Sequence, residues 1–127
     1  MKRVCKPGGT ILITTGSFGM PYHAWPYDFW RYETQNMEVM FSDCEILALE
    51  KDTGDPGVFL KARKPMDFVE VDLPEYALYS IVSGNRCVDI SPKDVRTIRY
   101  TRLKYRVILE RTCKPVILKL MRSCSES

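Results

Sequence analysis

The stretch CEILALEKDTGDPGVFLKARK, residues 44–64, constrains the fold more than any other part of the chain. Two β-rich runs flank TGDPG, a cluster of turn-forming residues, and two such runs joined by a short Gly/Pro loop form an antiparallel hairpin. Read with a strict period of two, Cys44, Ile46 and Ala48 share one face of the first strand, and Glu45, Leu47 and Leu49 share the other. A hairpin alone is not stable in water, so these strands need a further partner.

The nearest candidate partner lies upstream. In KPGGTILITTG, Pro7, Gly8 and Gly9 make a tight turn and Thr10–Thr15 reads as a strand. Ile11, Leu12 and Ile13 are apolar at consecutive positions, the pattern of a strand covered on both faces. Gly16-Ser17-Phe18-Gly19 then opens a loop into PYHAWPYDFWRY, and a short helix is expected over Thr34–Met40. Beyond Pro65 the pattern changes. Asp72-Leu73-Pro74-Glu75 offers an N-cap with an acidic residue three positions on, which predicts a helix to Val82 stopping at Gly84. Ser91-Pro92 predicts the start of a second helix, with Val95, Ile98, Tyr105, Ile108 and Leu109 at helical spacing through Arg111. Pro115 should kink or end it.

Charge is unevenly placed on this chain of 127 residues with net charge +3. From Ser91 onward ten basic residues face three acidic ones, so the rest of the chain is net negative. Such a tail either attracts an acidic partner, nucleic acid or an anionic surface, or forms a solvated helix face. The five cysteines (Cys5, Cys44, Cys87, Cys113, Cys124) are odd in number and include no CxxC pair. Neither a disulfide framework nor a zinc site is indicated, and reduced thiols in a cytoplasmic protein are the expectation. Cys5 and Cys44 lack a Cys–His–Asn/Asp setting and read as small buried hydrophobes. No apolar run approaches the roughly 20 residues that cross a bilayer.

The order of three segments carries a resemblance. RVCKPGGTILITT, then YHAWPYDFWRY, then CEILALEKD…GVFLKARKP is similar to the C-terminal half of class I S-adenosylmethionine-dependent methyltransferases, in particular the type 11 methyltransferase domain. CKPGG stands where the family carries LKPGG, and Trp25-Pro26-Tyr27-Asp28-Phe29-Trp30-Arg31-Tyr32 matches its YPxDFWRF-like segment. The similarity covers residues 2–65. It implies an α/β fold: the C-terminal part of a doubly wound Rossmann-like sheet, made of the last parallel strand and the closing antiparallel hairpin. Residues 1–65 would form that half-domain and residues 66–127 a helical C-terminal extension ending in the basic helix.

The resemblance also implies S-adenosylmethionine as cofactor, bound across the carboxyl ends of the first strands, the usual ligand position in open α/β sheets. The family grips it with a glycine-rich turn and an acidic residue after the first two strands. No GxGxG occurs here, so no residue is assigned to the cofactor. Only three residues precede Val4, too few to nucleate the helix that ends in this turn in the family. Taken literally, the cofactor half is missing and the chain is inactive alone. An N-terminal methyltransferase half, in the same product or in another subunit, or a second copy of the chain, would then cover the open sheet edge. Recruitment of the C-terminal helices as cover is the remaining option. The competing reading is a non-catalytic module that binds an acidic partner or nucleic acid through Lys93, Arg99, Arg102 and Arg106. A nonfunctional remnant that folds poorly is the third.

Candidate site residues come from the aromatic stretch. His23 is the only imidazole, the side-chain type that changes charge near neutral pH, and could serve as general base or be a hydrogen-bonded loop residue. Methyl transfer from a sulfonium needs mainly positioning and in-line approach, so a base is not obligatory. Asp28 and Arg31, three apart, either contact substrate or form an internal ion pair that pins the loop. Phe29 and Trp30 read as packing. Tyr22, Tyr27 and Trp25 read as pocket wall, since aromatic faces suit a sulfonium cation and planar acceptors.

Overall fold

A computed structural model describes the backbone of residues 1–23 and 28–125, with side chains through Cys113. Two three-stranded antiparallel sheets and two helices make a mixed α/β architecture. The strands are β1 (Thr10–Gly16), β2 (Trp30–Arg31), β3 (Glu45–Lys51), β4 (Gly57–Arg63), β5 (Leu78–Ser80) and β6 (Arg86–Cys87). The helices are α1 (Thr34–Met40) and α2 (Ile98–Ser125), with single 3-10 turns at Lys2–Val4 and Asp94–Arg96.

The expected hairpin is β3–β4, and β4 lies between β3 and β1. The register runs from Thr10 opposite Arg63 to Gly16 opposite Gly57. Alternation on β4 is clean: Val58, Leu60 and Ala62 are buried, while Phe59, Lys61 and Arg63 are exposed. Ile11, Met37 and Phe41 join Val58, Leu60 and Ala62 in the first core, which places α1 over this one face. The other face is open: Leu12 is 71% exposed and Phe59 43%. The expectation that Ile11-Leu12-Ile13 is covered on both sides is therefore corrected among the described residues, and the described side chains of the C-terminal helix pack on the second core instead. Phase on β3 is corrected too. The ladder skips Leu47, so Ile46 and Leu49 both face the core and Ala48, opposite Lys61, turns away. A bulge adds one unpaired residue and so reverses the faces beyond it.

No helix forms over residues 73–82. That segment supplies β5, which pairs with β2 on one side and with β6 on the other. The local cap signal is overridden by pairing with a strand far back in the sequence and by packing of Tyr79 on Phe18, ring centroids 4.9 Å apart. Gly84 ends the segment as a turn residue, not as a helix stop. It has φ +78°, and a Cβ there would meet the Arg99 guanidinium carbon at 2.8 Å. Ser80 shapes the same turn, its Oγ accepting from the amides of Val82 and Ser83.

The C-terminal helix begins later than Ser91 suggests. The Ser91 hydroxyl donates to the Asp94 carboxylate (2.8 Å), leaving one 3-10 turn. Thr97 is the residue whose side chain accepts from the third helical amide, that of Tyr100. The helix then passes through Pro115 and runs to Ser125. Tyr100 and Val107 of α2 close a second core with Tyr22 and Val82, and Phe29 packs against it. Tyr22 and residues 29–31 thus belong with the second sheet, and the Tyr32 amide, donating to the Gly16 carbonyl (3.0 Å), leads back to the first.

Candidate functional site

Beyond the end of β1, Met20, His23, Asp28 and Trp30 lie against that end of the sheet. The result is a cleft of about 420 Å³ lined by Thr14, Thr15 and Gly16 of β1, Gly57, Val58 and Phe59 of β4, Asp52, and Met20, His23, Asp28 and Trp30. Gly57 sets its inner wall, since a Cβ there would approach the Thr15 carbonyl oxygen at 3.4 Å and the Asp52 Cβ at 3.3 Å.

Arg31 ties Met20 and Pro21 to Asp28 and Trp30. It is 2% exposed, and all five of its N–H groups are used. Nε donates to the Met20 carbonyl (3.0 Å), one terminal nitrogen to Asp28 Oδ1 (2.6 Å) and the Trp30 carbonyl (2.8 Å), and the other to Asp28 Oδ2 (3.0 Å) and the Pro21 carbonyl (3.0 Å). Planar two-pronged recognition of a carboxylate is what guanidinium does and ammonium cannot. Burial alone would push the Asp28 pKa up. The Arg31 hydrogen bonds, the His23 amide and the Arg31 charge outweigh it and hold the carboxyl below its ordinary range.

His23 sits at the rim, its side chain 62% exposed. Its Nδ1 is 3.1 Å from the Pro21 carbonyl oxygen and 3.1 Å from Asp28 Oδ2. Both neighbours are acceptors while Asp28 is ionised, so Nδ1 is the nitrogen that donates, and in the neutral ring Nε2 presents its lone pair. With Nδ1 held by the Pro21 carbonyl and the Asp28 carboxylate beside it, the ring has an arrangement that a general base can use.

The remaining sequence-derived candidates separate. Tyr22 lies in the second core at 4% exposure, ring to ring with Tyr100 (6.2 Å, 80°), and does not line the cleft. Burial, and then the neighbouring Tyr100 hydroxyl, push its pKa up, and its hydroxyl has no hydrogen-bond partner of ordinary geometry among the described residues. Tyr27 and Trp25 fall outside the described residues. Asp28 and His23 come together at the cleft, with Arg31 directly behind them. Trp30 lines the cleft rather than only packing, whereas Phe29 packs on the second core.

Asp52, Phe59, Thr14 and Met20 are cleft residues that sequence reading missed. Asp52 opens the β3–β4 turn, and only the pairing of β4 with β1 brings it beside the carboxyl end of β1. Among the described residues no group of three His, Cys, Asp or Glu side chains could hold a metal ion. No described helix is long and apolar enough to cross a membrane. On α2, Arg99 donates to the Ile81 carbonyl, Arg106 pairs with Glu110 and Arg111 donates to the His23 carbonyl. Comparison with protein-family models, curated proteins and solved structures finds no match.

Proposed function

We propose that the β1-β4-β3 sheet is the closing border of a class I methyltransferase sheet and that the cleft at the carboxyl end of β1 is the acceptor-substrate side of its site. S-adenosylmethionine would be held by strands outside these 127 residues, in the same polypeptide or in another subunit. One observation carries the reading. The cleft opens at the carboxyl end of a strand that, among the described residues, pairs on one edge only and whose sheet has one open face bearing Leu12 and Phe59. A doubly wound sheet leaves such a border when its earlier strands and their helices are supplied separately, and its ligands sit at that end of the strands.

Calorimetric titration tests the reading. S-adenosylmethionine is expected to give no binding heat with the chain alone and micromolar binding once a segment encoding an apolar strand and a GxGxG turn, read from the transcript upstream of Met1, is joined to it. Micromolar binding by the isolated chain, or silence from the joined product, overturns the assignment. The alternative, an acidic or nucleic-acid partner on the basic helix, has less support, because Arg99, Arg106 and Arg111 are engaged within the chain.

A further inference from the structure

The cleft has a chemistry that points to one class of ligand. Among the described residues two carboxylates, an imidazole, two aromatic rings and a thioether line it, and no lysine or arginine does. The Asp28 charge is matched by Arg31 behind it. Asp52 is different: its Oδ1 accepts the Gly54 amide (2.8 Å), and its Oδ2 has no hydrogen-bond or ion-pair partner among the described residues. An unmatched carboxylate in a cleft that the rings of Trp30 and Phe59 also line is a setting that favours a cation over a neutral or anionic ligand.

We propose that the cleft binds a small organic amine in its ammonium form, held between Asp52 and the rings of Trp30 and Phe59. This rests on reading the cleft as the acceptor side of a methyl-transfer site, and it names the acceptor class. The charged groups around the imidazole of His23 are Asp28, Arg31 through Asp28, and Arg111 on the His23 carbonyl. His23 Nε2 accepts one ammonium proton and becomes imidazolium. The freed nitrogen lone pair then forms an N–C bond to the methyl group of a sulfonium donor. The C–S bond breaks, its electron pair stays on sulfur as a neutral thioether, and the product is the N-methylammonium ion.

Binding can be read without the methyl donor. Benzylamine and benzyl alcohol, which share a ring and differ in charge, are titrated separately into the 127-residue chain at neutral pH by calorimetry. The amine is expected to bind at least about tenfold tighter, a difference that one desolvated cation–ring contact plus a carboxylate readily supplies. Asp52→Asn keeps the acceptor for the Gly54 amide and should erase that preference with an unchanged melting curve. Phe59→Leu, at a half-exposed position, should weaken the amine several-fold while leaving benzyl alcohol little changed. Equal affinities, no heat from the amine, or a preference surviving in Asp52→Asn overturns the proposal. The methyltransferase reading fails separately: amine binding with no S-adenosylmethionine binding by the joined product would remove the reaction and leave the cation site standing.

Discussion

Replacing Arg31 with methionine isolates what holds the loop over the cleft. Methionine approximates the volume of the aliphatic stem but removes five donors at once. Asp28, only 10% exposed at its side chain, would keep the His23 amide and imidazole and lose both bonds to the guanidinium. Stripping one partner from a buried ion pair costs about 3–5 kcal/mol. The carbonyls of Met20, Pro21 and Trp30 would also lose their Arg31 donors, at about 1–3 kcal/mol each if they stayed dry. Those figures together would rival the whole stability of a small domain, about 5–15 kcal/mol, so the freed carbonyls should take up water first. The expected loss is therefore about 3–5 kcal/mol, set by the stranded Asp28 charge. Urea unfolding followed by far-UV circular dichroism and tryptophan fluorescence measures it. Asp28→Asn in the Arg31→Met background removes the stranded charge and should recover about half the loss. Arg31→Lys should fall between, since an ammonium keeps the charge without the fork. A loss under about 1 kcal/mol for Arg31→Met, or no recovery in the double variant, would refute the view of Arg31 as the buried clamp of this loop.

Two further outcomes are expected. Asp28 and Asp43 both have depressed folded-state pKa values; for Asp43, burial is outweighed by the Lys2 ammonium at 2.6 Å and the Val71 amide. Their stabilisation is present above the unfolded-state carboxyl value, about 4, and is lost as pH falls through the lower folded-state values, so the urea midpoint should drop steeply below about pH 4. The double variant Asp28→Asn/Asp43→Asn should show a shallower fall; an unchanged slope would count against both pairs. Separately, Leu12→Thr on the open face should change stability by no more than about 0.5 kcal/mol, whereas Leu60→Ala, at 2% exposure on the same sheet, should cost about 2–5 kcal/mol. Similar costs at the two sites would show that the open face is covered when the chain is alone in solution.

What could be read from the sequence was what short-range chemistry decides. The TGDPG turn, the β-rich runs beside it, the PGG turn before β1 and the seven-residue α1 all depend on neighbours within a few positions. The bulge at Leu47 does not, because nothing in LAL distinguishes a paired leucine from a skipped one until β4 lies alongside. The same limit applied to Leu78–Ser80. DLPE is a fair helix cap in isolation, and only Trp30 and Arg31, opposite Ser80 and Tyr79, draw the downstream residues into a strand. Asp28 and Arg31 were legible as a pair, but the carbonyls of Met20, Pro21 and Trp30 that complete the guanidinium's shell carry no side-chain signature. Asp52 joins the cleft through a pairing that brings Gly57 opposite Gly16, a relation between residues far apart in the chain.

The density of aromatic residues between positions 21 and 32 reflects where that segment has to go. The chain leaves the first sheet after Gly16, meets the second core at Tyr22 and Phe29, and returns to the first at Tyr32, so its described side chains serve different interiors in turn. Tyr22 and Phe29 pack into the second core, Tyr32 packs against the first, and Trp30 faces the cleft between them. A segment shared by two small cores must bury much surface per residue, which large rings do best. The same crossing leaves backbone carbonyls inside the fold without a ladder partner, and a side chain with five fixed donors satisfies several of them from one position. Arg31 is then required by the crossing, and Asp28 by Arg31, since a buried guanidinium needs a counter-charge. His23 Nδ1, held by the Pro21 carbonyl, then lies 3.1 Å from that carboxylate. The His23–Asp28 pair at the cleft is thus a consequence of joining the two sheets, and loosening the join should disorder the site before it unfolds either core.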